Sequence, residues 1–218
     1  MQTDWASENL QVIRTLMERA AIYRRAMAPI MVVVGVTGIA AGFGGTCLNS
    51  RGFVLLNSQT ARGFVLFWLA VALVCLLEAF FMIRRQALKD SDPVWSPPTR
   101  RAAQSVSPAF LAALMLGLFF LDPRTDFFFV FMLIPAWMTL YGLAMHSAGF
   151  FMLRGFKLFG WGFVLGAVFF VGFLVYRNDP SLLRSSIAAN LAMGGFFGGG
   201  HLAYGFYLYF TEKRGNVA

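Results

Sequence analysis

Residues 63–83 read GFVLFWLAVALVCLLEAFFMI, and Arg84 and Arg85 follow at once. A helix needs about 20 apolar residues to cross the hydrocarbon core of a bilayer. This run supplies them with one charged side chain, Glu78. A membrane strand would instead alternate polar and apolar residues over about ten positions, and no such pattern occurs. Five further apolar runs flank it, at Ala26–Leu48, Val106–Leu121, Phe127–Leu153, Leu158–Tyr176 and Ser186–Phe210. The expected fold class is all-α, a polytopic membrane protein with six transmembrane helices. The short third run takes a turn from Ser105 or Ser107, with Pro108 near its start. Pro135 is expected to kink the fourth.

The composition agrees. The 218 residues are 58% apolar and 13% charged, with a mean hydropathy of +0.66, where soluble domains carry about 25% charged residues. A soluble globular domain and a disordered chain are both excluded, and two cysteines, Cys47 and Cys75, make no disulfide-stapled module. The net charge of +8 does not mark a nucleic-acid binder, because the cations fall between the apolar runs rather than on one face. They report orientation. Of 18 Lys and Arg, only Arg51, Arg62, Arg124, Arg177 and Arg184 fall on the side opposite the termini. The positive-inside rule then places both termini in the cytoplasm, N-in/C-in.

Three regions follow: a cytoplasmic amphipathic helix within 1–25, a six-helix transmembrane domain at 26–210, and a cytoplasmic tail at 211–218. In 4–25, Leu10, Ile13, Met17 and Ala20 recur at helical spacing opposite Gln11, Arg14, Glu18 and Arg19. Asp4 is its expected N-cap and Trp5 its interfacial anchor. No short apolar core with a cleavage site precedes Ala26, so no cleaved leader is expected. Such a helix stabilises a membrane surface or docks a partner. The cytoplasmic loop 84–105 is the longest, interrupted by Pro93, Pro97 and Pro98. On the outer side Arg51–Leu55 is echoed by Arg62–Leu66, too short for a repeat architecture.

Several short motifs carry a resemblance. They are the segment from Leu10 to Arg19 with Tyr23 and Pro29, Trp68, the run Ser96–Ala102, Trp137, Leu140-Tyr141-Gly142, and His201 to Gly205. Together they are similar to a family of small six-helix bacterial inner-membrane proteins of uncharacterised function, often encoded beside winged-helix transcriptional regulators. The resemblance implies a bacterial inner membrane and the same topology. It brings no catalytic residues.

Ionisable groups inside a bilayer cost about 2.5–3.5 kcal/mol on insertion scales and are functional candidates. Three occur: Glu78, His146 and His201. Counted from the inner ends of their runs, they lie about 8, 11 and 14 Å deep, all in the cytoplasmic half. Two histidines on separate helices have the makings of axial ligands for haem b. With Glu78 they could hold a divalent metal or relay protons. The plainer role is interhelical hydrogen bonding. Tyr204, three residues after His201, lies on the same face as an orienting group or as part of an aromatic belt with Tyr207 and Tyr209.

Glycines four apart at Gly38/Gly42, Gly162/Gly166, Gly194/Gly198 and Gly195/Gly199 let helices approach closely, within the chain or across a homo-oligomer. No nucleophile elbow, zinc-protease motif, Cys-x-x-Cys or phosphate loop is present. A transport path would have only Thr37, Thr139, Ser147 and Asn190 besides the three ionisable groups. The expected function is therefore non-enzymatic: an accessory or regulatory membrane protein whose partners are the bilayer and a cytoplasmic or membrane-complex protein. A haem or metal protein is the alternative, and a small transporter the third reading.

Overall fold

The computed structural model describes residues 27–47, 60–89, 95, 97–122, 124–152 and 154–215. The amphipathic helix expected at 4–25, the first half of the echo and the last residues of the tail lie outside these. All regular structure among the described residues is helical: α1 (Met27–Cys47), α2 (Ala61–Lys89), α3 (Pro97–Phe119), α4 (Phe127–Ala148), α5 (Arg154–Arg177), the single turn α6 (Pro180–Leu183), α7 (Ser186–Met193) and α8 (Gly200–Gly215). A π-helical segment, Gly194–Gly199, joins α7 to α8 without a break. Helices α1 to α5 are each long and apolar enough to cross a membrane, α3 from Thr99 and α5 from Gly155.

Their outer faces agree with that. Leu73, Phe80, Phe119, Leu158, Phe169 and Val175 are exposed along the spans. A soluble monomer rarely leaves contiguous apolar surface beyond a few hundred Å², so this surface suits lipid. Inside, Phe64, Val130, Phe131, Leu133, Ile134 and Met138 are almost fully buried, and α4 is the central element, packed most extensively on α5 and then α3.

Helix ends depart from the apolar runs where polar residues continue a helix. The connection between the second and third runs is much shorter than 84–105, because α2 continues to Lys89 and α3 begins at Pro97. Pro97 and Pro98 open α3, where a missing N–H costs nothing. Pro108 consequently lies inside α3, not near its start. The fourth run stops at Ala148 rather than Leu153, with the Gly149 N–H bonded back to the Met145 carbonyl. Pro135 lies inside α4, and Thr139 Oγ1 donates to its carbonyl at 2.9 Å.

Short caps fix the turns at the other end. Asp126 caps α4, accepting from Phe128 N at 2.9 Å, and meets Arg184 at 3.2 Å. Asn178 takes a left-handed φ of 43° after α5, a conformation asparagine tolerates, just before Asp179 caps α6. The Phe128 N–H first, and Arg184 second, hold the Asp126 carboxyl below the usual range. A carboxyl depressed in the folded state stabilises above its unfolded pKa of about 4, and that contribution fades as pH falls through the folded value. Asp126→Asn keeps the cap and removes the charge. It is expected to flatten the acid limb of unfolding curves recorded below about pH 5. The effect is small because both partners are exposed.

Candidate functional site

The antiparallel crossing of α1 with the C-terminal helical run is built from glycine. A methyl group on Gly38 would meet Gly198 Cα at 2.8 Å, and one on Gly42 would meet Gly194 Cα at 2.8 Å. The line continues with Gly35 against Leu202, Val32 against Gly205, and Gly45 against Asn190. From 32 to 45, α1 advances 13 residues, whereas its partner uses 15 from 205 to 190. The π segment lies within this stretch, and its i→i+5 bonding accommodates roughly one more residue per turn, part of the difference. Both Gly194 and Gly198 face α1. Of the four pairs spaced by four, Gly38/Gly42 and Gly194/Gly198 make this contact. Gly162, Gly195 and Gly199 face open space, and Gly166 meets only Met138 Cε at 3.2 Å.

Polar side chains bridge the helices around this crossing. Thr37 Oγ1 on α1 lies 2.9 and 3.1 Å from the two carboxylate oxygens of Glu78 on α2, and donates to them. Trp68 Nε1 on α2 donates at 2.9 Å to Oδ1 of Asn190 on α7, while Asn190 Nδ2 donates to the Ser186 carbonyl. Asn190 is wholly buried. Trp137 Nε1 on α4 donates to the Ala113 carbonyl on α3 at 2.9 Å.

The most enclosed of the three ionisable candidates is His201, 5% exposed. Its Nδ1 lies 2.5 Å from the Phe197 carbonyl oxygen and its Nε2 2.6 Å from Tyr141 Oη on α4. A carbonyl only accepts, so Nδ1 carries the proton and Nε2 accepts from the tyrosine hydroxyl. The π segment thus has one of its carbonyls held by a side chain, and that side chain ties it to α4. Aromatic rings close around the pair. Phe163 and Phe197 lie 4.9 and 5.5 Å from Tyr141, Phe110 stacks on it at 6.1 Å, and Phe159 meets His201 at 5.2 Å. Tyr204 stacks on Phe159 at 4.6 Å, and its hydroxyl is buried without a hydrogen-bond partner among the described residues.

The three ionisable candidates are therefore in three different settings. Glu78 is engaged by Thr37. His201 uses both ring nitrogens. His146 lies in the last turn of α4, because that helix ends at Ala148, so it sits much nearer the helix end than the apolar run implied. Its ring meets Phe150 at 5.4 Å and Trp161 at 5.8 Å, and its Nδ1 is buried without a hydrogen-bond partner among the described residues. Phe159 and Phe163 on α5 face His201, whereas Trp161 lies about 200° around that helix from Phe159. The two imidazoles thus meet different faces of α5. Haem b held between them would require both on one face. Among the described residues no group of three or more His, Cys, Asp or Glu is placed to hold a metal ion.

Sequence reasoning singled out His201 and Glu78 but not their pairings, and treated Thr37 and Asn190 only as polar groups on a transport path. Tyr141 and Trp68 appeared only as parts of a resemblance. Their signal was residue type: a tyrosine hydroxyl or indole N–H within an apolar run needs a partner when buried. In comparisons with known proteins, no family model, no curated protein and no solved structure matches this chain.

Proposed function

We propose that the chain is a non-enzymatic accessory or regulatory protein of the bacterial inner membrane, acting through its cytoplasmic face. In this reading α1 to α5 are joined by a sixth span, the continuous helical run from Ser186 through the π segment into α8, and both termini are cytoplasmic. The observation that carries it is the employment of most of the intramembrane polar groups, the His146 Nδ1 and Tyr204 hydroxyl aside. Glu78, Asn190, Trp68, Trp137, Tyr141 and His201 each bond across to another helix or to the π segment. Groups used for packing are not free for substrate. Recognition then falls to the parts outside the bilayer: the amphipathic stretch 4–25 and the basic residues at the end of α2 and the starts of α3 and α5.

The experiment is affinity purification in mild detergent of the full chain beside a variant lacking residues 1–20. The full chain is expected to bring down a stoichiometric cytoplasmic or membrane protein identified by mass spectrometry. The truncated chain should insert and purify as a folded bundle but lose that partner. Equal recovery of the partner by both forms would remove 4–25 from the account. A Soret band or near-unit metal in the purified full chain would instead favour the haem or metal alternative.

A further inference from the structure

At the inner end of α2 a shallow groove of about 380 Å³ is lined by Phe81, Arg84, Arg85, Leu88 and Lys89. Three cations converge there, and among the described residues no acidic side chain lines it. Glu78, two turns away from Arg85 on the same helix, is engaged with Thr37. The groove is also amphipathic, because Phe81 and Leu88 are 57% and 69% exposed. Leu73 and Leu77, also exposed, extend the apolar stripe from Phe81 toward mid-span at i, i+4 spacing. Cations at the boundary and an apolar track running away into the hydrocarbon match the two halves of one molecule.

We infer that this groove is a binding site for a single anionic phospholipid, its phosphate held by Arg84, Arg85 and Lys89 and an acyl chain laid along Phe81, Leu77 and Leu73. Basic groups at the cytoplasmic end of a span attract anionic headgroups, and Arg presents a fork suited to phosphate oxygens. Charge complementarity selects the headgroup, and the exposed stripe selects a lipid over a free anion. The inference rests on α2 crossing the membrane with Arg84 at its cytoplasmic end.

The test is native mass spectrometry of the full chain in detergent micelles doped with dioleoyl phosphatidylglycerol or dioleoyl phosphatidylcholine. The phosphatidylglycerol adduct is expected to be retained at least roughly tenfold better, and R84Q/R85Q/K89Q is expected to bring it down to the phosphatidylcholine level. K89Q alone, at the last turn of α2, keeps the test decisive should the triple variant misfold, with an expected fall of about fivefold. R124Q should change nothing, and excess inorganic phosphate should leave the lipid in place. Equal retention of the two lipids, displacement by phosphate, or undiminished retention by the variants would overturn the site. A rise in retention after deletion of residues 1–20 would also overturn it, by making that segment the occupant. Cysteine labelling of Thr99→Cys keeps the two failures apart: labelling from outside would sink the orientation of α2, whereas absent lipid selectivity with correct orientation sinks the site alone.

Discussion

Gly198→Ala is expected to destabilise the protein by about 3 kcal/mol or more, at or beyond the upper end for an overpacked core. The added methyl would fall against Ile39 N and lie 2.8 Å from Gly38 C and Ile39 Cγ1. Two of those neighbours are backbone, so no rotamer change relieves the clash, and α1 must lift off the π segment. Separation there also loosens the facing contacts of Gly42 with Gly194 and of Gly45 with Asn190. Gly195→Ala, three residues earlier in the same segment, is the control. Nothing lies within 4 Å of its Cβ position, and alanine exceeds glycine in helix propensity by about 1 kcal/mol. Denaturant unfolding in micelles should rank the two variants on opposite sides of the parent. Equal behaviour would mean that the glycine line is not a helix contact.

Asn190→Leu carries the second large effect. The asparagine is completely buried and joins α2 to α7 through the Trp68 indole. Replacing it leaves the Trp68 N–H without its acceptor, a loss of about 1–3 kcal/mol, and forces a branched side chain beside Gly45, whose Cβ position lies 2.7 Å from Asn190 Oδ1. The combined loss should reach about 3 kcal/mol. Trp68→Phe removes the donor too, and a double-mutant cycle isolates the bond. Hydrogen bonds between membrane helices average about 0.6 kcal/mol by that measure and reach about 1.7. A cycle energy of zero would assign the whole effect to packing.

The apolar runs were legible because the bilayer imposes a length and a hydropathy that single residues reveal. Helix ends were not. The segment Thr99–Gln104 is polar, so hydropathy closed the third run at Val106, yet alanine and arginine extend a helix well and α3 begins at Pro97. The same rule kept α4 running to Leu153, because Phe150, Phe151 and Met152 are apolar. The chain turns at Gly149, and His146 is left near the helix end. Spacing found Gly38/Gly42 and Gly194/Gly198 but missed the closest approach of α4 to α5. There each helix contributes one glycine, Gly142 and Gly160, and a methyl on Gly160 would lie 2.5 Å from the Gly142 carbonyl oxygen. A four-residue rule sees pairs along one helix, not singles across two.

The polar pairs were hidden for a related reason. Tyr141 and His201 are 60 residues apart, and Trp68 and Asn190 are 122 apart. No local pattern joins them. The three successive glycines Gly198-Gly199-Gly200 lower helix propensity just before His201, and the structure has a π segment at Gly194–Gly199. What the glycines did not announce is that the imidazole holds that segment's own carbonyl.

The central claim, a six-span bundle with both ends in the cytoplasm, is tested most directly by cysteine labelling in intact cells with a membrane-impermeant maleimide. Cys47 stands exposed at the end of α1, on the outer side in this account, and should be labelled in the unmodified chain. In a Cys47→Ser/Cys75→Ser background, Ser181→Cys in the turn α6 should also be labelled, whereas Thr3→Cys and Thr99→Cys should react only after the membrane is permeabilised. Labelling of Thr3→Cys or Thr99→Cys from outside, or protection of Cys47 and Ser181→Cys until permeabilisation, would contradict the account.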